Sequence, residues 1–356
     1  MKKTARRSLR VMAISTFVVL ISGFILALLS TGVYAQSAFR FVSWADTKSA
    51  TDDLSELSDQ AVQLNPIFSI YPGDLESSGF TESGMNSWKG ALDGQLTGDT
   101  APNGMFDKTF PVRGNHDESN TAGWQAYYDF QATANLVGAP NYTNMPGDED
   151  LTYSFDYENS HFIGVDITGN ASEITSAQVQ WIDDDLTAAE ARGLTHAFLY
   201  FHGPIYCIGG HCSCSQRVCS ISSSVENLIE VLNKHPIVSA SFHGHEHTYA
   251  YTYIDETRIP PDGSFEGVTH PFHQFVTGSA GAGPTSCDPP LRCDYNMADL
   301  HGFVTVDVNG TNVTVTFYQQ GSMVPVNTVS FTNEGGITPS PPTANGGSCF
   351  IATAGQ

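Results

Sequence analysis

Five short polar clusters each close an apolar run in this chain. Asp46 follows residues 40–45, Gly73-Asp74 follows 67–71, and Gly114-Asn115-His116-Asp117 follows 109–113. His202 ends the run 197–201, and Gly244-His245-Glu246-His247 ends the run 237–242. Leaving Asp117 and Glu246 aside, these positions carry two carboxylates, one amide and four imidazoles. Carboxylate oxygens and neutral imidazoles are ligands for hard-to-borderline divalent or trivalent metals. Two such ions about 3.5–4 Å apart can share one carboxylate and one water-derived hydroxide, an arrangement suited to in-line attack on phosphorus. Gly73, Gly114 and Gly244 permit tight turns and close approach of backbone to the ions. One Gly-Asp or Gly-His pair alone means little; five clusters in this order, each after an apolar run, form a pattern.

Such chemistry needs strands that deliver their carboxyl ends to one rim, as open α/β sheets do. The five runs read as strands. Leu54, Leu57, Ala61 and Leu64 recur at helical spacing between the first two. Residues 75–108 read as Gly-rich and poor in helix. Residues 153–157 and 161–167 read as a hairpin around Glu158-Asn159-Ser160. Thr175-x-x-Gln178 and Ser223-x-x-Glu226 are capping boxes. They open helices with buried faces of Val179, Ile182, Leu186 and Ala189, and of Val225, Leu228, Ile229 and Leu232. Strands near 248–254, 272–277, 302–308, 312–318 and 325–331 follow. Alternating strands and helices with a strand-rich end predict a mixed α/β body of two sheets packed face to face. From Asn333 onward the chain is rich in Gly, Pro, Ser and Thr and reads as a tail.

The chain has 356 residues, 40% of them hydrophobic and 15% charged, enough for a sizeable core. It holds 15 Lys and Arg against 37 Asp and Glu. Five of the basic residues lie in the first ten positions, so the remainder carries 10 against 37. A body that acidic repels a polyphosphate, which excludes nucleic-acid coating. The basic start, the apolar run 11–29 and the small residues of Val33-Tyr34-Ala35 predict a secretory signal peptide over 1–35, with an uncleaved anchor as the alternative. Either exports the rest to a periplasmic, extracellular or cell-surface location. Cys207, Cys212, Cys214 and Cys219 crowd one loop, and Cys287 and Cys293 close another. In an oxidising compartment both groups read as disulfides; a zinc knuckle including His211 is the alternative for the first.

The order Asp46, Gly73-Asp74, Gly114-Asn115-His116-Asp117, His202, Gly244-His245-Glu246-His247 resembles the calcineurin-like metallophosphoesterases. The contexts His202-Gly-Pro-Ile-Tyr206 and Val276-Thr-Gly-Ser-Ala-Gly281 resemble the purple-acid-phosphatase branch. The resemblance covers about residues 38–333 and implies a four-layer αββα sandwich with a dinuclear site. By that resemblance Asp74 bridges two ions (iron, manganese, zinc or similar), Asp46 and His247 hold the first, and Asn115, His202 and His245 hold the second. A metal-bridging hydroxide attacks phosphorus. His116 sits near the leaving oxygen as general acid or charge stabiliser, oriented by Asp117.

Two departures stand out. The family's first motif is Asp-x-His, and here it is Asp46-Thr47-Lys48. The purple-acid branch has a Tyr three residues after the bridging Asp, and here that residue is Ser77. The first ion therefore lacks an evident fourth protein ligand, for which water or Glu76 is expected, and no tyrosinate colour is expected. Lys48, Arg113 and Tyr206 are candidate substrate contacts, with a salt bridge the alternative for Arg113 and core packing for Tyr206. His243, His270, His273 and His301 read as structural. The resulting domain reading is a leader over 1–35, a catalytic domain over 36–333 and a tail over 334–356, whose Cys349-Phe-Ile box suggests surface anchoring. The expected activity is that of an exported phosphoesterase on a small phosphorylated substrate, monoesters ahead of diesters or nucleotides. The rival reading is a non-catalytic, metal-bearing surface protein, which Lys48 and Ser77 favour and His116 and Asp117 disfavour.

Overall fold

The computed structural model describes residues 38–96, 101–167, 174–206, 208, 211, 225–256, 267–285 and 293–333. The leader, the tail with Cys349, Cys207, Cys212, Cys214, Cys219 and Cys287 lie outside the described residues. Among the described residues no helix is long and apolar enough to cross a membrane.

Two mixed sheets carry the fold. In the first, β1 (Phe39–Ser43), β2 (Phe68–Pro72) and β3 (Thr109–Val112) run parallel, the arrangement that helical crossovers give. An antiparallel meander of β12 (Gly302–Asn309), β13 (Asn312–Gln319) and β14 (Pro325–Thr332) extends the sheet from β1, in the order β14-β13-β12-β1-β2-β3. The second sheet has a parallel centre of β6 (Ser160–Gly164), β7 (His196–Tyr200), β8 (Val238–His243) and β10 (Phe272–Thr277). Antiparallel strands flank it: β5 (Tyr153–Tyr157) and β4 (Thr143–Asn144) on one side, β9 (Tyr249–Ile254) and β11 (Tyr295–Met297) on the other.

Side-chain alternation explains the layers, because successive residues of a strand face opposite sides. Phe162, Phe198 and Phe242 of the second sheet face Phe41 and Phe68 of the first. Phe162 meets both Phe41 and Phe68 edge-on, with ring centroids 5.1 Å apart. The neighbouring Ile163 and Leu199 face the other way, as does Val238 across an irregularity in the β7–β8 register. There they pack with Val179, Ile182, Leu186 and Ala189 of α5 (Ser176–Ala191) and Leu228, Ile229 and Leu232 of α6 (Val225–Lys234). Helix α1 (Thr51–Val62) buries Leu54, Leu57 and Ala61 against the first sheet and against α2 (Glu82–Leu92). The predicted sandwich of two mixed sheets between helices is thus the observed fold.

Helix α2 corrects the expectation of a helix-poor stretch. Thr81 caps it by accepting from the Gly84 amide, and Met85, Trp88, Ala91 and Leu92 supply a buried face that Gly84 and Gly90 obscure in composition. Two further short helices, α3 (Thr121–Tyr127) and α4 (Phe130–Val137), lead from β3 to β4. The capping box of α5 forms as the sequence predicts: Thr175 Oγ1 accepts from Gln178 N, and Gln178 Oε1 from Thr175 N.

Candidate metal centre

The polar clusters meet where β1, β2, β3, β7 and β8 end. Sharp turns follow the strands, and three candidate ligands occupy the left-handed backbone region: Asp46 at φ 63°, Asp74 at φ 56° and His245 at φ 68°. Non-glycine residues seldom adopt it, and such strain concentrates at functional sites. The backbone presses close. A Cβ on Gly114 would lie 2.2 Å from Asp74 Oδ1, and one on Gly244 would lie 2.4 Å from Asp46 Oδ2. Only glycine fits at those two positions. The segment after β10 wraps the end of β1: Ala280 N donates to Ala45 O and Ala282 N to Asp46 O.

Ligand atoms of Asp46, Asp74 and His247 all lie within 4.8 Å of one another. His202 Nε2 is 3.3 Å from Asp74 Oδ1 and 3.1 Å from Asn115 Oδ1. His245 Nδ1 is 3.1 Å from the same amide oxygen. The six positions Asp46, Asp74, Asn115, His202, His245 and His247 are therefore gathered on one rim. Backbone contacts fix the rings. His202 Nδ1–H donates to Pro72 O at 2.7 Å, and His247 Nδ1–H to Gly283 O at 2.8 Å.

Those anchors decide what the rim can hold. A neutral His202 anchored through Nδ1 turns the Nε2 lone pair toward Asp74 and Asn115 oxygens. Acceptors then face acceptors, which is unfavourable unless a proton or a cation lies between them. Asp46 Oδ1 is buried without a hydrogen-bond partner, 3.6 Å from His247 Nε2. Burying a carboxylate oxygen in this way is costly unless an ion compensates it. The donor set of carboxylates, amide and imidazoles thus fits divalent or trivalent cations.

The electrostatics agree. Burial pushes Asp46 well above the ordinary carboxylate range; Asp74 adds to the shift, while His202 and Lys48 oppose it. Burial acts the same way on Asp74, but His202 and the His116 amide outweigh it and hold Asp74 below its ordinary range. Burial would lower His202, yet Asp74 and Asp46 raise it to about 9. A proton on His202 is what this crowd of acceptors attracts in place of a metal. Burial and the neighbouring His202 cation push His245 down to about 3. Burial pushes His247 to about 4, against the Gly283 contact. Both are neutral ligands at ordinary pH.

The residues around the rim are placed differently from several expectations. Asp117 does not touch the His116 ring. Its carboxylate accepts from the amides of Leu75, Glu76 and Gly114 at 3.1, 3.1 and 2.9 Å, clamping the loops after β2 and β3 together. His116 is oriented instead by Ser77, whose carbonyl takes its Nδ1 at 2.7 Å. Arg113 is buried and gives its guanidinium to Asp166 at 2.8 and 2.6 Å, with Thr121 and Glu118 O taking another nitrogen. That engagement is the salt bridge given as its alternative role. Tyr206 is buried in the outer core, its main chain paired with the Gln274 side chain, which is the packing role given as its alternative. Glu76 accepts from Ser49 and stands apart from the ligand cluster. Lys48, expected to reach substrate, places Nζ 3.3 Å from His247 Nε2 and 3.7 Å from Asp74 Oδ2. His243 donates Nδ1–H to Phe201 O in the core, and His273 stacks on Phe331.

One polar residue at the mouth escaped the sequence reading as a site residue. His211 lines a cleft of about 600 Å³ with Lys48, Ser49, His247 and Ala282. Its ring meets that of His247 edge-on at 4.5 Å, its Nδ1 contacts His245 O, and its amide donates to Glu246. Its place nine residues after His202, in the cysteine-rich loop, was the available signal.

Residues 39–249 match the family model of the calcineurin-like phosphoesterases. No curated protein sequence matches the chain. Among solved structures, PhoD is 12% identical with a TM-score of 0.55, over 86% of this chain and 72% of its own. GAP50, described as the anchor in the inner membrane complex of Plasmodium, is 14% identical with a TM-score of 0.54, over 83% of this chain and 89% of its own. A dimetal phosphatase from Danio rerio is 14% identical with a TM-score of 0.50, over 83% of this chain and 99% of its own. At these identities the likeness is one of fold.

Proposed function

The chain belongs to the calcineurin-like phosphoesterase family, and on that premise we propose that it is an exported phosphomonoesterase using two metal ions. The observation that carries the reading is the convergence of Asp46, Asp74, Asn115, His202, His245 and His247 lone pairs on one rim, with His116 beside them. Asp46, Asp74 and His247 would hold the first ion; Asp74, Asn115, His202 and His245 would hold the second. When bound, the ions supply Lewis acidity toward the phosphoryl oxygens and a water acidic enough to attack near neutral pH.

The chain's own residues do the rest. The Asp117 clamp keeps Asp74 and Asn115 in register by tying their loops together. The His116 amide donates to Asp74 Oδ1 at 2.9 Å, which fixes the carboxylate that serves both positions. With Nδ1–H donated to Ser77 O, His116 turns Nε2 outward, and its imidazolium form would give the Nε2 proton to the leaving oxygen. His211 at the mouth offers a further polar contact to the substrate. The preference for monoesters, and the purple-acid branch itself, rest on the likeness of residues 202–206 and 276–281; phosphodiesters or nucleotides are the alternative substrates. The Danio rerio dimetal phosphatase, which shares the fold, accords with the reading. Export rests on the pattern of residues 1–35 and the clustered cysteines.

A second reading has one observation in its favour. The Lys48 ammonium stands against two candidate ligands, as in a scaffold that has given up catalysis for binding. One experiment separates the two. Purified protein loaded in turn with manganese, iron, zinc and cobalt is assayed on chromogenic phosphomonoester and phosphodiester substrates. Turnover that vanishes in Asp74→Asn and falls in His116→Ala supports the phosphoesterase. Tight metal binding with no turnover under any ion contradicts it.

A further inference from the structure

The two departures from the family pattern, Lys48 and Ser77, meet in space. Asp46, Lys48 and Ser49 all have left-handed backbones, at φ 63°, 46° and 69°. Three such residues within four positions are unfavourable for side chains with a Cβ, so the loop must be held from outside. It is held on several sides. Lys48 N donates to Asp74 O at 3.2 Å, and Ser77 Oγ donates to Lys48 O. Ser49 Oγ donates to Glu76 at 3.1 Å, and the Thr47 hydroxyl pairs with that of Tyr71. The consequence is the placement of Nζ, 3.3 Å from His247 Nε2 and 3.7 Å from Asp74 Oδ2. His247 has its Nδ1–H on Gly283 O, so Nε2 is the lone pair that the ammonium meets.

Both of those atoms belong to the set that would hold the first ion. We propose that the Lys48 ammonium is a resident competitor for that position: it occupies the Asp74–His247 side of the rim until a metal displaces it, so the two positions fill in order and with unequal affinity. The Asn115–His202–His245 position fills first: it shares only Asp74 with the lysine, which meets Oδ2 while His202 faces Oδ1. The lysine can yield because its side chain is 20% exposed and its four-carbon stem opens into the cleft beside His211. Ser77, in place of a metal-binding tyrosine, serves the same device by pinning the lysine's own carbonyl. The inference rests on the two-ion reading of the rim.

Calorimetric titration of the metal-free full chain with manganese, paired with electron paramagnetic resonance of free manganese, tests it. Wild type should bind one ion tightly and a second at least roughly tenfold more weakly, the size expected for one misplaced unit charge. Lys48→Met should raise the affinity of the second ion by about that factor and leave the first within twofold. Lys48→Arg should keep the gap. Ser77→Ala, which unpins the loop without touching a ligand, should narrow it and covers the case in which Lys48→Met fails to fold. Isotherms of Lys48→Met or Ser77→Ala that superpose on wild type overturn the proposal. Phosphomonoester turnover is followed on the same samples. Superposed isotherms with turnover intact sink the lysine's role alone, whereas separated isotherms without turnover sink the phosphoesterase reading alone.

Discussion

The rim and a second buried polar cluster, behind β5 and β6, contain similar groups and solve opposite problems. In the second cluster His161 sits between Asp156 and Asp185, at 2.7 Å from Nδ1 and 2.9 Å from Nε2. Arg192 donates to both oxygens of Asp156, and Asn141 adds a third donor. Burial would lower His161, but its two carboxylates outweigh that and raise it. Two carboxylates are thus matched by two cations from the chain itself, with donors facing acceptors throughout. At the rim, Asp46 Oδ1 has no hydrogen-bond partner and His202 Nε2 points at oxygens. The chain matches every acceptor with a donor where the role is to join β5, β6 and α5, and at the rim leaves acceptors unmatched, with a displaceable Lys48 ammonium and a His202 proton standing in for what must bind. The test of a site is this mismatch, since polar burial alone occurs in both places.

The largest expected effect breaks the rim and spares the second cluster. Asp74→Asn removes the charge that serves both positions. It should lower kcat/KM on a chromogenic phosphomonoester by a factor on the order of 10³, with the thermal midpoint of the metal-free protein held or raised. Next, Asp156→Ala strands Arg192 and His161 without their carboxylate. Unfolding in urea should show a loss of about 3 kcal/mol, while manganese affinity stays at the wild-type value. If Asp156→Ala instead weakened metal binding, the two regions would not be independent.

A smaller effect sharpens the contrast. Asp117 touches no candidate ligand atom but ties together the loops that carry Asp74 and Asn115. Asp117→Asn keeps one acceptor and loses the other, so metal affinity should fall by roughly 10–100-fold, read by competition with a chelating dye. The smallest effect is the pH response of the second cluster. The folded pKa of His161 lies above its ordinary 6.5, so its stabilisation is fully present below about that pH and is lost as pH rises through the folded value. Thermal midpoints should therefore decline from pH 6 to pH 9 more steeply in wild type than in His161→Gln. A parallel decline in the two would remove His161 from the pH dependence.

The strands and the rim positions were legible in the sequence because both follow from local pattern. An apolar run that ends in Gly-Asp or Gly-His states where a strand stops and which side chain comes next, and the parallel order of β1, β2 and β3 brings those ends together. What the sequence hid depends on direction. The path of Lys48 is set by a left-handed backbone at a non-glycine residue, which no periodicity announces. Asp117 looked like a partner for its neighbour His116, but turning its carboxylate toward Leu75 and Glu76 requires knowing how two loops stack. Arg113 and Asp166 lie far apart in the chain, so only the fold could show that the guanidinium was already taken. The α2 helix was missed because two glycines diluted a helical face whose buried side chains are otherwise regular.

The central claim is that the uncompensated lone pairs of the rim are seats for cations. Anomalous diffraction from crystals grown with saturating manganese addresses it directly. The account predicts two peaks, one against Asp46, Asp74 and His247 with Lys48 turned out, and one against Asp74, Asn115, His202 and His245. No peak within the rim, or manganese bound only elsewhere on the acidic surface, would contradict it.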